Sequence, residues 1–413
     1  MNGSVPIPGS KSLSHRAMIA AALADGESLL KGVLFCGDTD YTRKALEMLG
    51  AVMAPRGEDL LVQGTGGRLK RAASGINVFM GNAGTTLRFL LSVVSLSRGE
   101  FVLDGSPRMR QRPVGILAHA LNALGARVRF PGKTGFPPVL VEARGLSGGS
   151  VEIPGEESSQ HLSSLLLAAP YAREDTEVRV TGQLLSRPYV DMTVKVMEAF
   201  GAGVSRQGYE LFRVKSGEHY QPRTFTIEAD VSAAGYFWAG AAVSGGSVTT
   251  VNVDPFATSQ GDIGFLDILE EMGCRVKREP GKVTVQGGTL NGVEVDMGTM
   301  PDTVPTLAAV ALFATGKTVI RNVAHIRLKE SDRIGAVAAE WKRLGARVEE
   351  LPDGLVVEGG LPLKGASVDP HHDHRIAMSL AVIGLRVPGL AITDKTCVNK
   401  SFPTFWDLWD ALR

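Results

Sequence analysis

Cysteine is scarce in this chain. Cys36, Cys274 and Cys397 are scattered over 413 residues, a spacing that builds neither a disulfide framework nor a zinc site and suits a reducing, cytoplasmic setting. A surplus of charge is missing too: 44 Lys and Arg stand against 43 Asp and Glu, a formal net charge of +1. That balance gives no support to a nucleic-acid surface or a polybasic membrane anchor. No apolar run reaches the ~18 residues that span a bilayer. At the N-terminus, basic residues and small-residue turns interrupt the chain before a secretory leader can form. What remains is ordinary globular composition, 44% hydrophobic and 21% charged. The length argues for about two domains rather than one core.

What the chain does have is self-similarity. Helix-like segments end in a Gly-small signal at Leu49-Gly50-Ala51, Leu124-Gly125-Ala126, Phe200-Gly201-Ala202, Met272-Gly273-Cys274 and Leu344-Gly345-Ala346, with the glycines 75, 76, 72 and 72 residues apart. Each reads as a helix C-terminus with glycine at the left-handed position, followed by a strand such as 126–130. A further helix over 404–412 stands where the next is due. An interleaved series of apolar, small-residue helices begins near Ser12, Gly84, Ser159, Ser232, Asp302 and Asp373. These are apolar nearly all round and so belong inside, whereas amphipathic helices such as 336–344 belong outside. With short β-like runs between, each unit reads strand, buried helix, strand, outer helix, two strands. Six such units, three and three, account for the chain.

Polar residues gather where the buried helices start. Pro8-Gly9-Ser10-Lys11-Ser12-Leu13-Ser14-His15-Arg16 reads as a loop turning into a helix, with a serine as cap. Unpaired N–H groups at a helix start form an anion site. Helices packed in parallel would bring six such ends onto a common face, together with Lys11, Arg16, Arg88, Arg112, Lys329, Arg333, Arg375 and Lys400. Multiply charged anions are the expected ligands, phosphates first.

Five motifs, Pro8-Gly9-Ser10-Lys11-Ser12, Gly81-Asn82-Ala83-Gly84-Thr85-Thr86-Leu87-Arg88, Arg110-Gln111-Arg112-Pro113, Arg327-Leu328-Lys329-Glu330-Ser331-Asp332-Arg333 and Asp373-His374-Arg375, closely resemble those of the 5-enolpyruvylshikimate-3-phosphate (EPSP) synthase family. The resemblance runs in order along essentially the whole chain. It implies an α/β fold, a two-domain inside-out α/β barrel in which each domain holds three βαβαββ units. One domain would comprise 1–10 and 229–413, the other 11–228, closing like a clamshell on the substrates. The implied reaction transfers the enolpyruvyl group of phosphoenolpyruvate to the 5-hydroxyl of shikimate 3-phosphate, a step toward chorismate and the aromatic amino acids. No cofactor and no metal are implied, and the enzyme would be a cytoplasmic monomer.

That chemistry needs an acid and a base in a cationic pocket. By resemblance, Asp302 takes the 5-hydroxyl proton, Glu330 handles protons at the methylene carbon, and Lys11 binds both substrates. His374 contacts substrate or orients Glu330. Lys11, Ser12, Arg16, Ser158, Ser159, Gln160, Ser186, Tyr189, Asp302, His325 and Lys329 are the implied shikimate 3-phosphate residues. Lys11, Asn82, Gly84, Arg112, Gln160, Arg333, Arg375 and Lys400 are the implied phosphoenolpyruvate residues. An unsubstituted Gly84 implies inhibition by glyphosate in competition with phosphoenolpyruvate.

Three departures from the family pattern stand out. With so few residues before Lys11, the first strand is expected to be short and weakly paired. Phe89 stands where a small residue or proline is usual, and His325 where Asn is. The run His371-His372-Asp373-His374 invites a metal reading, but neighbouring histidines diverge and no second cluster accompanies them. Trp406 and Trp409 are expected in the core. The related transferase acting on UDP-N-acetylglucosamine fits less well, because it uses Lys-Asn where this chain has Lys11-Ser12 and a loop cysteine where 105–110 has none. A non-catalytic anion-binding scaffold would have no use for Asp302 and Glu330.

Overall fold

A helix with no polar side has to be enclosed. The segment Val231–Ser244 carries no charge, and every residue from Val231 to Val243 is buried. The computed structural model describes residues 1–413, apart from the side chains of residues 72–74. It divides into two compact units, Gly9–Ile227 and Met1–Pro8 with Glu228–Arg413.

In the unit Gly9–Ile227 the buried helices are Lys11–Leu23, Gly84–Ser95 and Ser159–Ala168. They pack against one another. Each belongs to a four-stranded sheet in which the strand before the helix pairs parallel with the strand after it, and two further strands add on antiparallel. Gly149–Pro154 pairs parallel with Thr176–Thr181, which pairs antiparallel with Leu211–Val214 and through it with Val204–Gln207. Ala72–Phe79, Arg98–Asp104, Val139–Arg144 and Val128–Arg129 repeat the pattern. The first repeat takes its leading strand from the far end of the unit: Thr224–Thr226 pairs parallel with Glu27–Lys31. Burial alternates along these strands, as in Glu27–Lys31 where Ser28 and Leu30 face inward, as one-sided sheets require.

The unit Met1–Pro8 with Glu228–Arg413 is built alike around Val231–Ser244, Val304–Ala311 and His374–Gly384. Here Asn2–Val5 supplies the leading strand, in register Asn2↔Ser247 to Val5↔Thr250. The strand is short, as expected, and each of its four residues has a partner. Asn252 clamps the exit of the strand, its Oδ1 accepting from the Ile7 N–H at 2.8 Å and its Nδ2 donating to the Ile7 carbonyl at 2.7 Å.

Five repeats are complete. The sixth has only the parallel pair Ser367–Val368 and Ala391–Ile392, followed by the turn Thr396–Lys400 and the helix Phe405–Asp410. Among the described residues the sheets stay separate, so the helices are wrapped from outside without a barrel closing. All five repeat glycines take φ between +91° and +113°. At each, the glycine N–H and the next one bond back to carbonyls of the last helical turn, as Gly50 to Glu47 and Ala51 to Leu46 do. This is the Schellman motif that the glycine spacing predicts.

Trp409 is buried against Phe237 and Phe405. Trp406 is not: it is half-buried, its Nε1 donating to the Lys395 carbonyl at 3.0 Å. The cysteines are all free, and no helix among the described residues is long and apolar enough to cross a membrane. Asn252→Ala removes both bonds to Ile7, and a loss of ~1–3 kcal/mol is expected in urea unfolding. Amide exchange at residues 2–7 should rise, and unchanged protection there would show that pairing with 247–250 suffices.

Candidate functional site

Each unit gathers charged side chains at its buried-helix starts. In the unit Gly9–Ile227, Ser10 caps the first helix and Ser158 the third, its Oγ accepting from the Gln160 N–H at 3.3 Å. Lys11 opens the first helix and places Nζ 3.1 Å from Asp38 Oδ2, on the outer helix Gly37–Met48. Arg112 donates from Nη1 to the Asn82 carbonyl (2.9 Å) and to Asn82 Oδ1 (3.1 Å). The guanidinium lies against Gly84, where a Cβ would overlap it. Glycine is needed because the cation packs directly on the backbone. Arg88 joins the second helix to the third: Nη1 donates to Gln160 Oε1 (3.0 Å) and Nε to His161 Nε2 (3.3 Å). Gln160 in turn donates to Thr85 Oγ1 at 3.0 Å. Burial holds the His161 imidazole well below its usual range, with Arg88 adding to the effect.

Arg16 is spent on the chain itself. It donates to Thr193 Oγ1 (2.7 Å), the Ser12 carbonyl (2.9 Å), the Tyr189 carbonyl (2.9 Å) and Ser163 Oγ (3.4 Å). Desolvation lowers its pKa to about 9. It lies 5.0 Å over the Phe89 ring, so Phe89 is an interior residue. Ser12 and Tyr189 are thus tied through their backbones to one buried cation. Ser186 precedes the helix Arg187–Ala199 and holds φ +53°, a strained conformation for a side chain larger than glycine. Ser159 is buried beside its cap.

The other unit centres on Arg333, first residue of the helix Arg333–Arg343. Its guanidinium is 2% exposed and meets three carboxylates: Nη1 to Asp302 Oδ1 (2.9 Å), Nη2 to Glu330 Oε2 (2.8 Å) and Nε to Asp373 Oδ2 (2.8 Å). Arg375 donates from Nη2 to Asp302 Oδ2 at 2.6 Å and from Nη1 to the Tyr236 hydroxyl at 3.4 Å. Asp373 caps the helix His374–Gly384 through the Arg375 N–H (3.0 Å) and accepts from Ser331 Oγ (3.0 Å).

Burial alone would raise the Asp302 carboxyl. Arg375, then Lys329 and Arg333, outweigh it and hold the group well below the usual carboxylate range. Asp302 is therefore a carboxylate between two guanidiniums, with Glu330 on the same arginine. Lys329 is half-buried beside Glu330, Lys400 ends the turn Thr396–Lys400, and His374 is buried behind Asp373.

Sequence reasoning did not single out Asp38, Asp262 or the hub role of Asp373. Asp38 looks like a first-turn acid favouring the helix dipole. Asp262, in the turn Gly261–Gly264, is buried with a hydrogen bond to Ser232, and desolvation with repulsion from Asp302 pushes it up to about 7. No sequence pattern marks it. No group of three or more His, Cys, Asp or Glu among the described residues is placed to hold a metal. His371 turns to Glu340 and His372 to Asp394.

Repeated βαβαββ units that collect arginines and acids at helix starts define an α/β protein with its polar chemistry at the helix ends. The model of the family described as EPSP synthase (3-phosphoshikimate 1-carboxyvinyltransferase) matches residues 1–409. A 3-phosphoshikimate 1-carboxyvinyltransferase of Methanoculleus marisnigri is 48% identical over 408 residues, 98% of this chain and 96% of the relative. One of Nostoc punctiforme is 44% identical over 409 residues, 98% and 95% of the two chains. An EPSP synthase structure from Acinetobacter baumannii superimposes with a TM-score of 0.81 at 30% identity, covering 100% of this chain and 95% of the other. The chain belongs to the EPSP synthase family.

His325 supplies a test of site electrostatics. Burial, with Lys329 next, lowers its imidazole from 6.5 to about 3. The unfolded chain therefore binds a proton that the folded one refuses. Stability present above pH ~6.5 is lost progressively as pH falls toward 3. His325→Asn should flatten the urea midpoint against pH between about 6.5 and 4; an unchanged slope would refute the assignment.

Proposed function

We infer that this protein transfers the enolpyruvyl group of phosphoenolpyruvate to the 5-hydroxyl of shikimate 3-phosphate and releases phosphate. Family membership supports the reaction, and the names and structures of the relatives do not favour the UDP-N-acetylglucosamine alternative. The observation that carries the chemistry is Asp302 held ionised between Arg333 and Arg375, with Glu330 on the same Arg333.

In the reading proposed, Glu330 delivers a proton to the methylene carbon, the neighbouring carbon gains positive character, and the 5-hydroxyl attacks it while its proton passes to Asp302. The tetrahedral intermediate then expels phosphate and returns a methyl proton. Held between two guanidiniums that stabilise its charge, Asp302 is a poor base. An arriving phosphate or carboxylate draws on the same N–H donors. That loosens their hold on Asp302 and raises its proton affinity when a base is needed.

Arg112, Arg333, Arg375 and Lys400 are assigned to phosphoenolpyruvate with Asn82, Gly84 and Gln160. Ser12, Ser158, Ser159, Ser186, Tyr189, His325 and Lys329 are assigned to shikimate 3-phosphate, with Arg16 holding Ser12 and Tyr189 from behind. Lys11 serves both and His374 supports Glu330. The reading extends to a cytoplasmic monomer inhibited by glyphosate.

A phosphate-release assay with phosphoenolpyruvate and each acceptor separately is the test. Turnover is expected with shikimate 3-phosphate alone, and release with UDP-N-acetylglucosamine instead would overturn the reading. Lys11→Ala and Glu330→Ala should each abolish turnover, with thermal unfolding confirming a folded protein, since Asp38 loses the ammonium 3.1 Å away in the first. Gly84→Ala must displace the Arg112 guanidinium. It should raise the inhibition constant of glyphosate more than the KM of phosphoenolpyruvate, and equal losses would contradict that steric account.

A further inference from the structure

The histidine pair that the sequence offers as a metal motif has a different use. His371 and His372 both hold left-handed backbone, φ +54° and +53°. The Asp373 N–H closes the segment by donating to the Pro370 carbonyl at 2.9 Å. Two successive left-handed residues inside that bond have the pattern of a type I′ turn, which Asn-Gly forms readily and bulkier side chains form under strain. Strain of this kind persists only where the surroundings over-determine it. This turn delivers Asp373, whose two oxygens hold Arg333, Ser331 and the Arg375 N–H.

One side chain braces the turn from inside. Glu340 is buried, accepting with Oε2 from the Asp369 N–H at 3.0 Å and meeting His371 Nε2 with Oε1 at 3.1 Å. Asp369 reinforces this by accepting from the His371 N–H at 2.7 Å. The outside brace, His372 Nδ1 to Asp394 Oδ2 at 3.2 Å, is weaker support because the His372 side chain is 88% exposed. Glu340 stands two turns after Arg333 on the helix Arg333–Arg343, hence on the same face. That face grips the segment 369–375 twice, Arg333 at Asp373 and Glu340 at Asp369 and His371.

We propose that Glu340 is a positioning residue: by clamping Asp369 and His371 it holds the strained His371-His372 turn in the conformation that sets Asp373 against Arg333, and so fixes the anion-binding guanidinium of Arg333 and the helix start that carries Arg375. The proposal rests on the function inferred above. Glu340 touches no reacting atom in it and acts only through this turn.

The experiment compares Glu340→Ala in two backgrounds, the natural turn and an unstrained one carrying His371→Asn and His372→Gly. In the natural turn the KM for phosphoenolpyruvate should rise about tenfold or more, with kcat changed much less, because small displacements of a binding group are costly. In the Asn-Gly background the same substitution should cost only a few-fold. Amide exchange over residues 369–376 should quicken in the first background and little in the second. Unchanged kinetics in folded Glu340→Ala, or an equal loss in both backgrounds, would overturn the proposal. If Glu340→Ala does not fold, Glu340→Gln, which keeps one acceptor oxygen, is read by the same comparison. Absence of phosphate release by the natural protein would sink the function instead, and exchange at 369–376 would still decide the role of Glu340.

Discussion

A guanidinium sealed from water has to be met by anions, and Arg333 is met by three. Taking a charge out of water costs several kcal/mol per ion, returned only by good geometry and satisfied hydrogen bonds. Arg333 satisfies this with Asp302, Glu330 and Asp373, and Arg375 adds a second cation on Asp302. The cations are the members the cluster cannot spare. Loss of Arg333 would leave Glu330 and Asp373 without their guanidinium in a buried place, and removing one partner of a buried pair costs ~3–5 kcal/mol. Any anion arriving at Arg333 would have to compete with carboxylates for the same N–H donors.

Both units solve one problem in one way. Helices apolar all round must be wrapped, so sheets cover their sides and leave only their ends for polar chemistry. At those ends the first N–H groups need acceptors. Ser10, Ser158, Asp230 and Asp373 supply them. Cations then collect where the helix ends are polar: Lys11, Arg88 and Arg112 in one unit, Arg333 and Arg375 in the other. Buried serines and threonines extend the network inward, as where Thr42 links His15 and Thr86 at 2.8 Å each.

The repeats were legible because their signals are local. A glycine after each outer helix needs left-handed φ for backbone reasons alone, and an unbroken run of small apolar residues has only one environment available. Pairings were not legible. Nothing local to Asp302 says that Arg375, seventy-three residues on, will share it, nor does Phe89 announce that it lies under Arg16. The serines at helix starts gave both a capping and a binding reading, and the caps at Ser10 and Ser158 are the part geometry displays. Trp406 packs against the core only in part, because a three-residue spacing does not say how much of a short helix is covered. The left-handed turn at His371 and His372 was not legible either, because backbone strain has no sequence signature.

The leading strands carry a consequence for synthesis. Asn2–Val5 finds its partner only at Ser247–Thr250, and Glu27–Lys31 receives its parallel neighbour only from Thr224–Thr226. On the ribosome neither sheet can be completed when its first residues emerge. At translation speeds of ~5–20 residues per second, the N-terminal strand waits roughly ten to fifty seconds with its backbone unpaired. Until Ser247–Thr250 is made, Asn2–Val5 has no strand to pair with, a hazard that a segment of four residues, three of them exposed in the finished protein, keeps small.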